Sequence, residues 1–242
     1  MIHIFNSDDL KKNSQYINQI SDLYNSCFPD INEREEIEII LNRVMGIRDK
    51  YDPNTILLFY PKDGKVVAGL IADWYKQSKS IHITYIFVSP YFRNKGIAKH
   101  ILKNEIPTII KQIFDLYKIE IKGVFLEANN PQDTIIDSIN TSTRLEIFKK
   151  IGIKWIDIPY IQPALDLNRE KVNNLFLLVL PINESQSSKI EKDTIIHFLC
   201  DLYKSLQIEK PFENTDFLKM IDNLSENIED KSIFNLKEIQ VE

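Results

Sequence analysis

Apolar positions repeat along the chain at two spacings, and the changes between them mark out the elements. In residues 14–28 they fall at Tyr16, Ile17, Ile20, Leu23, Tyr24 and Cys27, the stripe of a helix. Pro29-Asp30 stops it. Ile37, Ile40, Leu41 and Val44 give a second helix one apolar face. Asn32 is placed to cap that helix, with Glu33, Glu35 and Glu36 in its first turn, where the dipole favours anions. The spacing then shortens. Residues 55–60, 65–75 and 81–88 are dense in β-branched and aromatic side chains and read as strands. Their connections, Pro61-Lys62-Asp63-Gly64 and Lys76-Gln77-Ser78-Lys79, are short, which predicts an antiparallel meander.

Helical spacing returns at Ile97, Ile101, Leu102, Ile109, Ile113 and Leu116, with Pro107 inside the run. A kink or a fresh helix start is expected there. Residues 119–127 read as the next strand. Strand, helix, strand is a crossover, so this pair should be parallel. Thr143 and Glu146 have capping-box spacing around Leu145, with Phe148 and Ile151 following and Gly152 as the stop. Residues 2–5 supply a first strand, and 153–158 and 172–180 the last two. The expected class is α+β. It has a mixed sheet of about seven strands, mostly antiparallel with one splayed parallel pair, flanked by helices. The polar stretch 184–189 separates a main domain, 1–183, from a C-terminal helical extension, 184–242. Its two stripes run through Ile195, Leu199, Leu202 and Leu206, and through Phe217, Ile221 and Leu224. They should pack on the same domain.

Composition narrows the partners. Of the 242 residues, 43% are hydrophobic and 27% charged, as in soluble globular chains. The net charge of -5 leaves no basic excess for nucleic acid and is compatible with an amine substrate. The longest apolar run, residues 175–180, is too short to span a bilayer, and residues 1–9 lack a basic leader with an apolar core. A soluble, cytoplasmic protein without membrane partners is expected. Neither Cys27 nor Cys200 belongs to a full set of Cys and His ligands at metal-site spacing, so no metal is expected and both thiols should be reduced.

The chemistry-bearing stretch is the third strand together with the turn and helix start after it. Pro90 ends the strand, and Arg93-x-x-Gly96-x-Ala98 opens the next helix. Free N–H groups and the positive dipole end at such a start suit a diphosphate. Gly96 permits close backbone approach, and Ala98 keeps the next turn slim.

Val88-x-Pro90-x-x-Arg93-x-x-Gly96-x-Ala98 resembles the acetyl-CoA signature of the GNAT superfamily of N-acetyltransferases. Phe125-Leu126-Glu127 resembles the family strand that comes next. The stretch from Arg144 to Ile153 resembles the family's Phe-Tyr-x-Lys-x-Gly-Phe helix and strand. The resemblance spans about residues 1–182. Tyr160-x-Gln162-Pro163-x-Leu165 is similar to a bacterial subgroup that carries an extra C-terminal helix.

The resemblance implies acetyl-CoA as cosubstrate. It puts the pyrophosphate on backbone N–H groups of Arg93, Asn94, Lys95, Gly96, Ile97 and Ala98. It puts the pantetheine arm along Phe87 and Val88, and allows Asn130 a cofactor contact. Many family members carry a glutamate base on the signature strand. Here that strand has only His82, three alternations from Val88. Glu127 ends the next strand, and either residue could act, directly or through water. The family's tyrosine acid is replaced by Phe148, and Tyr160 could substitute for it. The implied activity is direct acetyl transfer to a primary amine of a small molecule or peptide, by a monomer or homodimer. The alternative is an acyl-CoA-binding module with little turnover. The acceptor would sit between residues 27–48 and 157–174.

Overall fold

The structure is a computed structural model that describes residues 1–31, 34–131, 139–166, 168–226 and 232–240. Among them, eight strands form one mixed sheet. They are β1 (Ile2–Ile4), β2 (Asn54–Lys62), β3 (Lys65–Tyr75), β4 (Ser80–Val88), β5 (Gly123–Asn129), β6 (Lys154–Ile156) and β7 (Leu175–Val179), with a last short strand near the C-terminus. Between β7 and that strand lie β8 (Lys189–Glu191) and β9 (Ile233–Asn235), which pair as a separate ribbon. The last strand is β10 (Lys237–Glu238), and the sheet order is β1-β2-β3-β4-β5-β7-β6-β10. Every pair is antiparallel except β4 with β5, which is parallel. The mixed class is therefore as expected. The chain beyond residue 184 is not purely helical, however, because β10 covers the open edge of β6, and unpaired strand edges are sites of unwanted pairing.

The helices are α1 (Ser7–Lys12), α2 (Ile17–Cys27), α3 (Ile37–Val44), α4 (Ile97–His100), α5 (Ile106–Tyr117), α6 (Thr141–Ile151), α7 (Lys192–Ser205) and α8 (Thr215–Glu226). Asn6 caps α1, accepting from the N–H groups of Asp8 and Asp9. This short helix shows no apolar stripe in the sequence. Glu36, in extended backbone, occupies the N-cap of α3; the expected cap, Asn32, and Glu33 lie outside the described residues. Asn140, not Thr143, caps α6, and its side chain accepts from Thr143 N–H. Residues Ile101–Glu105 widen into a π turn between α4 and α5, with Pro107 in the first turn of α5. Pro107 lacks an N–H and its ring would press on the carbonyl four residues back, so a wider turn ahead of it relieves the clash.

One sheet face is covered throughout by α5 and α6, through Ile106, Ile109, Ile113, Leu145 and Phe148. The opposite face has two covers. Residues of α1, α2 and α3 pack on Leu57, Phe59, Ile71, Tyr85 and Phe87. Residues of α7 and α8 pack on Phe125, Leu177 and Val179. The seam between the two covers falls over β4 and β5.

A β-bulge sets what faces that seam. Ala72 pairs with Ile83, but Ile71 pairs with Tyr85, so Thr84 is an extra residue in β4. One inserted residue reverses every later side chain. Ile81 and Ile83 face α5, whereas after the bulge Ile86 and Val88 do so, and Tyr85 and Phe87 turn to α2. The uniform alternation that would put His82 and Val88 on one face is corrected accordingly: they lie on opposite faces.

Candidate active site

Strands β4 and β5 pair from Ser80↔Gly123 to Ile83↔Leu126 and then part. Beyond that point β4 remains paired with β3, from Tyr85↔Ile71 to Val88↔Ala68. The edge of β4 that faces β5 is thus left without a ladder partner, so its backbone groups are open to a ligand. A cavity of about 350 Å³ lies along this opening. Its walls include Phe87, Val88, Arg93, Asn94, Gly96, Ile97 and Ala98, together with Cys27, Phe28, Lys99, Arg144, Ile147 and Phe148.

The turn below it is shaped by backbone conformation. Asn94 has φ 60° and Gly96 φ 76°, the left-handed region that glycine enters without penalty. A Cβ on Gly96 would meet no protein atom within 4 Å, so conformation, not protein crowding, calls for glycine there. Arg93 Nε donates to the Val88 carbonyl at 3.2 Å, so this carbonyl is already engaged. Lys95 places its Nζ 4.7 Å from the centre of the Phe92 ring and does not line the cavity. Asn130 does not line it either. Its N–H donates to the Asn174 carbonyl, and it borders a different cavity with Trp155 and Phe176.

A second, smaller cavity of about 70 Å³ shares Cys27, Phe28 and Arg144 with the first. Glu127, Asp30, Thr84, Tyr85, Asn129 and Gln162 are among its other walls. The two segments expected to hold an acceptor meet here, and Arg169 fastens them by donating to the Arg34 carbonyl and, at 3.3 Å, to Glu36.

The structure brings His82, Glu127 and Tyr160 together. The Tyr160 hydroxyl donates to Glu127 Oε1. His82 Nε2 lies 3.4 Å from Glu127 Oε2, an ion-pair distance without hydrogen-bond alignment. Of the three, Glu127 lines the smaller cavity: its side chain is 14% exposed against 4% for His82. His82 and Tyr160 stand behind it. The His82 ring meets Phe198 of α7 edge-on, with centroids 5.5 Å apart, and Phe198 stacks on Phe125 at 4.1 Å.

Asp73 faces His82 across the β3–β4 ladder. Thr55 Oγ1 donates to Asp73 at 2.5 Å, and Arg43 Nη2 lies 3.5 Å from it. Arg43 also binds Glu35 through both Nη groups at 2.7 Å and donates to Thr55 at 3.0 Å. The result is a buried chain of charges from α3 to the seam. Burial works against a charged His82, but the carboxylates of Glu127, Asp73 and Glu35 outweigh it and raise its pKa above the ordinary value. Burial raises Asp73, partly opposed by Arg43. Burial and the neighbouring Glu127 keep Tyr160 protonated, with a pKa far above that of a free phenol. The Cys27 thiol, on both cavity walls, is also pushed up by burial, with Arg93 pulling the other way.

The sequence gives no hint of Asp73 as a site residue, and it nominates Cys27 and Phe28 only as the start of the acceptor segment, not as walls of the signature cleft. Cys27 and Phe28 read as the end of a helix stripe, and Asp73 reads as one polar position in a strand. Its register with His82 is the missing information.

The splayed parallel pair, the left-handed turn and the cleft between them are the features that the resemblance to the GNAT fold implies. Residues 17–130, just under half of the chain, match the model of the acetyltransferase (GNAT) family. Among solved structures, the chain is similar to a GNAT-family putative acetyltransferase from Bacteroides thetaiotaomicron, at 15% identity and TM-score 0.50, covering 73% of this chain and 86% of that one. It is also similar to the ribosomal-protein-S18-alanine N-acetyltransferase of Escherichia coli, at 11% identity and TM-score 0.45, covering 69% and 88%. A GNAT acetyltransferase from Elizabethkingia anophelis with acetyl-CoA bound gives 16% identity and TM-score 0.42, covering 66% and 89%. Among curated proteins, none matches the chain. No helix of the described residues is long and apolar enough to cross a membrane.

Proposed function

We propose that the protein transfers the acetyl group of acetyl-CoA directly to a primary amine of a small molecule or peptide, with Glu127 as the base. The observation that carries this reading is the position of Glu127. It alone of the three clustered groups lines the smaller cavity, and that cavity adjoins the signature cleft. The cleft suits the cosubstrate: the left-handed turn at Asn94 and Gly96 and the open edge of β4 supply backbone N–H groups, with Arg93 and Lys99 adding positive charge at the wall. Acetyl-CoA supplies the activated acetyl group. Glu127 takes one proton of the ammonium, which frees the nitrogen lone pair to form the C–N bond; the C–S bond then breaks, and the second proton lost from nitrogen passes to the departing thiolate to give the free thiol of CoA. N–H groups on the open edge of β4 are placed to polarise the carbonyl. Tyr160 and His82 hold Glu127 and are positioning residues. Direct transfer needs no acyl-cysteine, and Cys27 stays protonated. Two unpaired cysteines fit a reducing compartment such as the cytoplasm.

A module that holds acyl-CoA without turnover is favoured by one observation. Phe148 lines the cleft where a proton donor would serve the departing thiolate, and the Tyr160 hydroxyl is committed to Glu127. A thiol-release assay on a panel of amines separates the readings. Turnover with any amine supports the transferase; tight acetyl-CoA binding with no turnover on the whole panel supports the module.

A further inference from the structure

Gln162 is buried, only 7% exposed, and its backbone is fixed on both sides by reciprocal hydrogen bonds with Val172, at 2.8 and 2.9 Å. It lies two residues from Tyr160 in the same loop and forms part of the wall that Glu127 also lines. Its carboxamide makes no hydrogen bond within the described residues. The neighbouring polar groups are occupied: the Thr84 hydroxyl lies near Asp73 at 3.4 Å, the Tyr85 hydroxyl accepts from Glu35 N–H at 2.9 Å, and the Tyr160 hydroxyl belongs to Glu127. Buried side-chain amides in folded proteins are almost always paired. An amide with one donor end and one acceptor end, held on a rigid backbone beside the base, is equipped to pair with a ligand.

We propose that Gln162 is a specificity-determining residue that reads a neutral hydrogen-bonding group on the acceptor, an amide or a hydroxyl close to the reacting amine. The inference rests on the acetyltransferase reading above. The cavity is small, about 70 Å³, so the group that Gln162 meets lies within two or three bonds of the nitrogen. Among the described residues, Asp30 and Glu127 on the same wall outnumber the cation Arg144 and disfavour a free carboxylate at that place. The acceptor class is thus an amino alcohol or an amino-acid amide, including a peptide N-terminus, in preference to an alkylamine or a free amino acid.

The test compares isosteric acceptors within each enzyme form: ethanolamine against n-propylamine, and glycinamide against glycine. Wild-type protein is expected to favour ethanolamine over n-propylamine in kcat/KM by about tenfold, the value of one hydrogen bond, and glycinamide over glycine in the same sense. Gln162→Leu should bring the ethanolamine preference close to one, with the loss in KM more than in kcat. Gln162→Met serves as a second variant, and acetyl-CoA binding checks that each variant folds. An unchanged preference in folded variants, or no preference in the wild type, overturns the inference and leaves the transferase reading standing. No turnover on any acceptor by wild-type protein that binds acetyl-CoA overturns both.

Discussion

The hydroxyl of Tyr160 donates to Oε1 of Glu127, tying the loop before β7 to the end of β5. Both residues face the seam between the two helical covers of the sheet, where β4 and β5 part. Glu127 is thereby held at one orientation, with one oxygen on Tyr160 and the other 3.4 Å from His82.

Tyr160→Phe keeps the ring and removes the donor. Turnover is expected to fall by about tenfold to a hundredfold, because a catalytic group displaced by an ångström loses that much. Tyr160 does not line the cofactor cleft, so acetyl-CoA affinity should hold. Steady-state kinetics with a separate binding measurement distinguish the two effects.

His82 makes stability depend on pH with a defined sign. Its folded-state pKa is raised, since the carboxylates of Glu127, Asp73 and Glu35 outweigh the cost of burial. The stabilisation is therefore complete below the unfolded histidine value of about 6.5 and is lost as pH rises through the higher folded value. Wild type and His82→Asn should differ most in urea midpoint below that value and converge as pH rises. A difference that grew with pH would show a neutral, unpaired imidazole instead.

Phe198 links the C-terminal helices to the site. Its ring stacks on Phe125 and meets His82 edge-on. Phe198→Ala should cost about 3–5 kcal/mol of stability, as for other buried aromatics, and should lower turnover in the fraction that stays folded. Chemical denaturation and activity per folded molecule measure the two.

Gly69→Ala tests the strand that carries the cleft. A Cβ there would lie 2.3 Å from Phe87 Cζ, and Phe87 is buried and pairs directly with Gly69. Overpacking of this kind costs about 1–3 kcal/mol. Displacement of Phe87 should also weaken acetyl-CoA binding, which calorimetry reads directly.

Much of this was legible in the sequence because it is local. Pro90, Gly96 and Ala98 mark a strand, turn and helix start through conformational preference alone, and the crossover from β4 to β5 requires a parallel pair whatever the details. Glu127 could be nominated because it ends the strand beside the cleft. The hidden part depends on registry between distant segments. The bulge at Thr84 leaves no mark in composition, yet it decides that His82 and Val88 face opposite ways. Asp73 gains its meaning only from lying opposite His82. Phe198 belongs to a helix stripe that gives no clue to the sheet face it covers, and β10 is two charged residues whose strand character comes from the edge they complete.

The most direct test is Glu127→Gln, which preserves shape and still accepts from Tyr160 while removing the basic carboxylate. The protein's kcat with its best amine should fall by at least about a hundredfold, the contribution expected of a general base, with acetyl-CoA affinity unchanged. Turnover of Glu127→Gln at the wild-type rate would contradict the assignment of Glu127 as the base.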